Sequence, residues 1–327
     1  MNLSYAYQEW PYAQVFRIAR EARSHSALFL VHIHDGEHLG RGECGILTQY
    51  GHSKQDLVDG FETAAKMLAQ RPAREELQEA IANSSVRNAI DCALWDLECK
   101  RDGKSPWQMA GLERRAELQV DITIGINATE KMCRDARAAV DKGYRILKIK
   151  ANAEQVVDKV SAITAVAPGL TFIVDANEAW SIRQLEQLAP QLHDLGVALI
   201  EQPLPHHDDA AMARYRGPIP ICADESCESL QQLDTLQARY QAINIKLDKV
   251  GGLTPALQLA RAAKERGMGL MLGCHGPTSL GIAPAYVVGT LADFRDLDGP
   301  ALLHQDRLHG MRYRNGYLHC FTPGLWA

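Results

Sequence analysis

The chain has 327 residues, 46% of them hydrophobic and 23% charged, with a formal net charge of −5. That length accommodates one large α/β domain and a smaller companion, in a composition ordinary for a soluble globular protein. The acidic balance and the lack of any basic run argue against a nucleic-acid partner, and no apolar stretch approaches the ~18 residues of a membrane span.

The opening stretch MNLSYAYQEWPYAQVF lacks the charged lead and apolar core of a signal peptide. Cysteines stand at positions 44, 92, 99, 133, 222, 227, 274 and 320 with no C-x-x-C pair, several inside apolar helix or strand patterns. Such reduced, buried thiols point to a cytoplasmic protein rather than a disulfide framework or zinc site.

In chain order, the pattern through about residue 45 is β-rich. SALFLVHIHD alternates, Asp35-Gly36 signals a hairpin, and LGRGECG resumes. His32 and His34 share one strand face, where exposed or hydrogen-bonded histidines are expected rather than a metal site. From 53 to 102 apolar residues recur at helical spacing, the second helix capped by Ser84 or Ser85 and ended by Gly103. Residues 1–112 therefore read as an α+β module.

After Leu112, short apolar runs recur about every 25 residues, the length of a strand, a helix and two loops. They fall at 118–126, 145–151, 170–177, 197–203, 219–226, 242–250, 269–275 and 293–299. Eight such units close most simply into a (β/α) barrel over residues 113–300. An open doubly wound sheet would call for a phosphate loop, and neither G-x-G-x-x-G nor G-x-x-x-x-G-K-[ST] is present. Residues 301–327 read as strand and turn, returning to pack on the first module.

Barrel chemistry sits at the C-terminal ends of strands. Those ends carry Lys148 and Lys150 in RILKIKA, Asp175 in VDAN, Glu201 in IEQP and Asp224 in ADES. Further on come Lys246 in NIKLDK, His275 in GCHG, and Asp296 and Asp298 in FRDLDGP. Alone, the lysine pair could be a solvated edge strand, and each acid a helix cap. Three acids on successive strands stay ionised together only around a cation. Oxygen ligands without His or Cys favour Mg²⁺, with Mn²⁺ as a substitute. Lysines on the second and sixth strands would meet a substrate α-carbon from opposite faces, a geometry that inverts a stereocentre.

Together these motifs resemble the muconate-lactonizing-enzyme subgroup of the enolase superfamily over essentially the whole chain, and within it the dipeptide epimerases. The resemblance implies a modified (β/α)7β TIM barrel with an N-terminal α+β capping domain completed by the C-terminal segment. It implies Asp175, Glu201 and Asp224 as Mg²⁺ ligands, Lys150 and Lys246 as the acid/base pair, and Lys148 as an auxiliary. Asp296 and Asp298 would clamp the α-ammonium of a dipeptide. Arg20 would meet a glutamate side chain, with Arg17 and Arg23 as neighbours able to replace it.

The implied reaction is epimerisation at the C-terminal residue of a dipeptide, L-Ala-L-Glu to L-Ala-D-Glu, in murein-peptide metabolism. The alternatives are an N-acylamino-acid racemase or cycloisomerase of the same subgroup, and a non-catalytic peptide- or metal-binding barrel. The expected partner is the small dipeptide, and a homo-oligomer is left open. Two stretches depart from the subgroup. GECGILTQYGHS lacks a proline-aromatic run, and His275 stands where methionine is usual, either altering side-chain preference or packing harmlessly.

Overall fold

The computed structural model describes residues 1–17 and 22–327. The N-terminal module opens with β1 (Asn2–Arg17), β2 (Ala22–Asp35) and β3 (His38–Gly45), an antiparallel meander in chain order. The β2–β3 hairpin turns at Gly36, whose φ of 60° suits a residue without a Cβ. One face of the meander supplies Phe29, Val31, Ile33 and Cys44 to a core completed by three helices. These are α1 (Lys54–Leu68), α2 (Arg74–Ala80) and α3 (Ser84–Asp102).

The N-cap of α3 is Asn83, whose side chain accepts from the Val86 amide at 3.1 Å. Asparagine caps as well as serine, so the cap lies one residue before the first of the expected serines. Helix α3 lies almost on the backbone of β3. A Cβ at Gly40 or Gly42 would come within 2.0 Å of the Ala93 or Ala89 carbonyl oxygen. Only glycine permits that approach.

The barrel strands are short and parallel. Among the described residues they are β5 (Ile122–Ile124), β6 (Ile146–Lys150), β7 (Thr171–Asp175), β8 (Val197–Glu201), β9 (Ile221–Ala223), β10 (Ala242–Ile245), β11 (Gly269–Leu272) and β12 (Phe294–Arg295), neighbouring one another in chain order. The Asp121 amide donates to the Arg295 carbonyl at 3.0 Å, drawing the first strand to the last. The fold is a modified TIM barrel with an α+β capping domain, as expected.

The run at 118–126 divides in two. Its first half is β4 (Glu117–Gln119), which pairs antiparallel with β14 (Tyr317–His319), itself hairpinned with β13 (Tyr313–Arg314). From there the C-terminal segment reaches the capping domain. Trp326 donates its Nε1–H to the Cys92 carbonyl at 3.2 Å, and Arg41 donates to the Gly324 carbonyl at 3.2 Å.

A layer of Ile146, Ile173, Leu199, Cys222, Ala242 and Met271 fills the barrel interior, one residue from each of β6 to β11. Strand side chains alternate with period two. The residues two and four beyond this layer therefore also face inward. Those are Lys148 and Lys150, Asp175, Glu201, Asp224, Asn244 and Lys246, and His275. All eight cysteines are free. No helix among the described residues is long and apolar enough to cross a membrane.

Candidate active site

Above the apolar layer the inward positions are ionic. Lys148 is fully buried, its Nζ lying 2.5 Å from Asp296 Oδ2, 2.8 Å from Glu201 Oε2 and 3.0 Å from Asp175 Oδ2. Lys150 donates to Asp175 Oδ2 at 2.5 Å, and Lys246 donates to Asp224 Oδ2 at 2.6 Å. The lysines of RILKIKA are thus not a repelling pair on an edge. Each is neutralised by carboxylates from neighbouring strands.

These pairings set the protonation states. Burial works against the charge on Lys148, but Asp296, Glu201 and Asp175 outweigh it and hold its pKa well above the usual lysine value. Lys246 is raised in the same way, with Asp224 overcoming burial. Burial pushes Asp175 up, yet Lys150 and Lys148 bring it down to about 2. Glu201 rises to about 7 through burial and the nearby Asp175 charge. Lys148 and Lys246 are raised because the acids face these amines directly. A cation taking those oxygens would remove the cause that raises them.

Lys150 and Lys246 open onto one cavity of about 340 Å³, together with Asp224, Glu225, Asn177, His275, Asp296 and Asp298. Its roof comes from the capping domain through Tyr12, Arg23, Thr48 and Gln49. Gly273, two residues before His275, leaves room here, since a Cβ would meet Lys246 Cε at 2.9 Å. Among the described residues the His275 ring has no hydrogen bond at Nδ1, which lies 3.9 Å from Asp248 Oδ2. Burial first, then Lys246, depresses its pKa well below the usual value, so it faces the cavity neutral. Of the three arginines, Arg23 lines the cavity and Arg17 lines an adjoining one of about 290 Å³. Arg20 lies outside the described residues.

Two carboxylate groups could take a cation. Asp175, Glu201 and Asp224 come from adjacent strand ends between the two cavity-lining lysines, and all three are buried, with Lys148 drawn to Asp175 and Glu201. An all-oxygen donor set without His or Cys fits a hard divalent ion. The second group, Asp121, Asp296 and Asp298, brings one oxygen of each within 4.8 Å of the others. It sits beside β5 and β12, joined to the first group through Lys148, and Thr123 donates its amide to Asp298 Oδ2 at 2.7 Å. Burial and Asp296 push Asp298 up to about 7.

Sequence reasoning missed two members. Lys249 donates to Asp224 Oδ1 at 2.7 Å and to the Asn244 carbonyl at 3.0 Å. Its signal was the second lysine of NIKLDK, one helical turn after the first. Asp121 is fully buried, and burial with Asp296 and Asp298 drives its pKa well above the usual carboxyl value.

Residues 2–111 match the mandelate racemase/muconate lactonizing enzyme N-terminal domain, and residues 131–325 match the enolase C-terminal domain-like family. The chain belongs to the enolase superfamily. Its relatives include L-Ala-D/L-Glu epimerase of Escherichia coli (strain K12), 38% identical over 95% of this chain and 97% of that protein. Another is N-acetyl-D-glutamate racemase of Pseudoalteromonas sp, 39% identical over 77% of this chain and 79% of the other.

Among solved structures, an enolase family member from Agrobacterium tumefaciens with homology to dipeptide epimerases superposes with a TM-score of 0.95. It is 38% identical, covers 99% of both chains, and holds sodium and L-Ala-L-Glu with an ordered loop. A dipeptide epimerase from Methylococcus capsulatus, complexed with Mg and L-Arg-D-Lys, has a TM-score of 0.90 at 26% identity over 99% and 98% of the chains.

Proposed function

We propose that this superfamily member is a Mg²⁺-dependent dipeptide epimerase that interconverts L-Ala-L-Glu and L-Ala-D-Glu, acting on murein peptides. The observation that carries the reading is the pair of lysines on one cavity, Lys150 at β6 and Lys246 just past β10. These are the second and sixth of eight barrel strands, so they face each other across the axis. A substrate held between them offers opposite faces of its α-carbon to two amines.

Asp175, Glu201 and Asp224 would hold the metal. When bound, the ion supplies positive charge against the extra negative charge a carboxylate gains as its α-proton leaves. One lysine takes that proton, and the other, protonated, returns one to the opposite face. Lys148 keeps its own proton and adds a fixed charge beside the reacting carboxylate. Asp296 and Asp298 would receive the substrate's ammonium, and Arg23 is the described arginine positioned to meet an anionic side chain.

The 39% identity to N-acetyl-D-glutamate racemase favours a second reading, racemisation of an N-acyl amino acid. An acyl group, however, brings no positive charge to Asp296 and Asp298, whose buried carboxylates suit an ammonium. Chiral chromatography of L-Ala-L-Glu and N-acetyl-L-glutamate after incubation with protein and Mg²⁺ separates the two. D-glutamate in the dipeptide alone is expected; D-product from the N-acetyl compound alone would replace the proposal with the racemase reading.

A further inference from the structure

Asp121 sits at the foot of β5, where the first barrel strand meets the last, behind the cavity-lining Thr123, Asp296 and Asp298. It is fully buried, and among the described residues neither carboxylate oxygen has a hydrogen-bond partner. Such a group is costly unless something occupies it. Its two acidic neighbours are better served. Asp296 Oδ2 accepts from Lys148 at 2.5 Å, and Asp298 Oδ2 accepts from the Thr123 amide at 2.7 Å.

One oxygen from each acid lies within 4.8 Å of the other two. Three points so spaced share a centre no farther than 4.8 Å divided by √3, about 2.8 Å, from each, which is the length of an N⁺–H···O⁻ hydrogen bond. A primary ammonium has three N–H bonds, one for each of the three acids. A secondary amide has one N–H, no charge and a substituent on either side.

We infer that Asp121 completes a three-carboxylate seat for the α-ammonium of the substrate and sets the preference for a free amine over an N-acyl group. The inference rests on the dipeptide reading above. It assigns the unpartnered oxygens of Asp121 to the third N–H, the one that Asp296 and Asp298 leave over. It also makes Asp121 a residue kept for binding at the expense of the empty protein's stability.

The test compares Asp121→Asn with wild type on L-Ala-L-Glu and on N-propionyl-L-glutamate, the same molecule with hydrogen in place of the amine. Kinetics with the dipeptide, inhibition by the analogue and melting of the substrate-free protein are measured. Asp121→Asn is expected to raise KM for the dipeptide about 10- to 100-fold, the worth of one charge-assisted hydrogen bond. It should change kcat less, leave the analogue's inhibition constant unchanged, and melt no lower than wild type. Equal weakening of both ligands, or a lower melting temperature with unchanged KM, marks Asp121 as structural and overturns the inference. If an inorganic cation were the occupant, replacing Na⁺ by tetramethylammonium would mimic the substitution while the ratio of dipeptide to analogue affinity stayed fixed, which also overturns it. Wild-type protein inactive on the dipeptide would sink the dipeptide reading and this inference together. An active wild type with an insensitive Asp121→Asn sinks this inference alone.

Discussion

Lys148 and Lys150 stand two positions apart on the same face of one strand, yet they are not equivalent. Lys148 is fully buried among three carboxylates, while Lys150 pairs with Asp175 and reaches the cavity. If Lys150 and Lys246 serve opposite faces, removing either disables one direction of proton removal. Lys150→Ala is expected to abolish α-hydrogen exchange from one epimer and leave the other's partly alive; Lys246→Ala should do the converse. Exchange followed separately from L-Ala-L-Glu and L-Ala-D-Glu reads this, and variants that lose neither would assign both lysines to structure. These residues could be read from sequence because strand alternation carries a side chain's direction. Lys249 could not, since it lies in the short helix after β10 and is turned inward by contacts to Asp224 and Asn244. Asp121 has no motif around it, and its meaning depends on β12, some 175 residues later.

At the scale of elements, the lid of the site hangs on close contact between α3 and β3. Gly42→Ala would put a methyl group 2.0 Å from the Ala89 carbonyl oxygen, a backbone atom that cannot swing aside. A cost of about 1–3 kcal/mol is expected, read as a lower melting temperature; an unchanged value would mean that α3 slides freely on the sheet. The proposed metal ligands sit on strand ends, so Mg²⁺ should raise the melting temperature of wild type and fail to do so for Asp224→Asn. EDTA should abolish turnover and added Mg²⁺ restore it. The sequence pattern was enough to locate the eight barrel strands, because each is a short apolar run between helices. It did not show that the run at 118–126 is two strands, because the partner of its first half, β14, lies at the other end of the chain.

At the scale of the whole molecule, the cavity exists only because capping domain and barrel meet over it. Asp248 joins them, accepting from Asn88 Nδ2 at 2.8 Å and from the Gly45 amide at 3.4 Å. Glu43 does the same, accepting from the Thr278 hydroxyl at 2.6 Å and pairing with Arg307 of the C-terminal segment. Burial lifts Asp248 from an ordinary 3.8 to about 7, despite the hydrogen bonds from Asn88 and Gly45. The folded protein thus holds this proton more tightly than the unfolded chain. The stability it contributes is fully present below about pH 4 and is lost as pH rises through about 7. Asp248→Asn should therefore melt increasingly above wild type from pH 4 to 7, with a constant gap beyond; a gap that widened on acidification would contradict the assignment.

The central claim is that two lysines exchange the α-proton of a dipeptide's C-terminal residue. The direct measurement is mass spectrometry and chiral analysis of L-Ala-L-Glu incubated with the protein and Mg²⁺ in D₂O. A gain of one deuterium at the glutamate α-carbon together with L-Ala-D-Glu is expected. Dipeptide recovered without deuterium, with Mg²⁺ present and the protein folded, would contradict it.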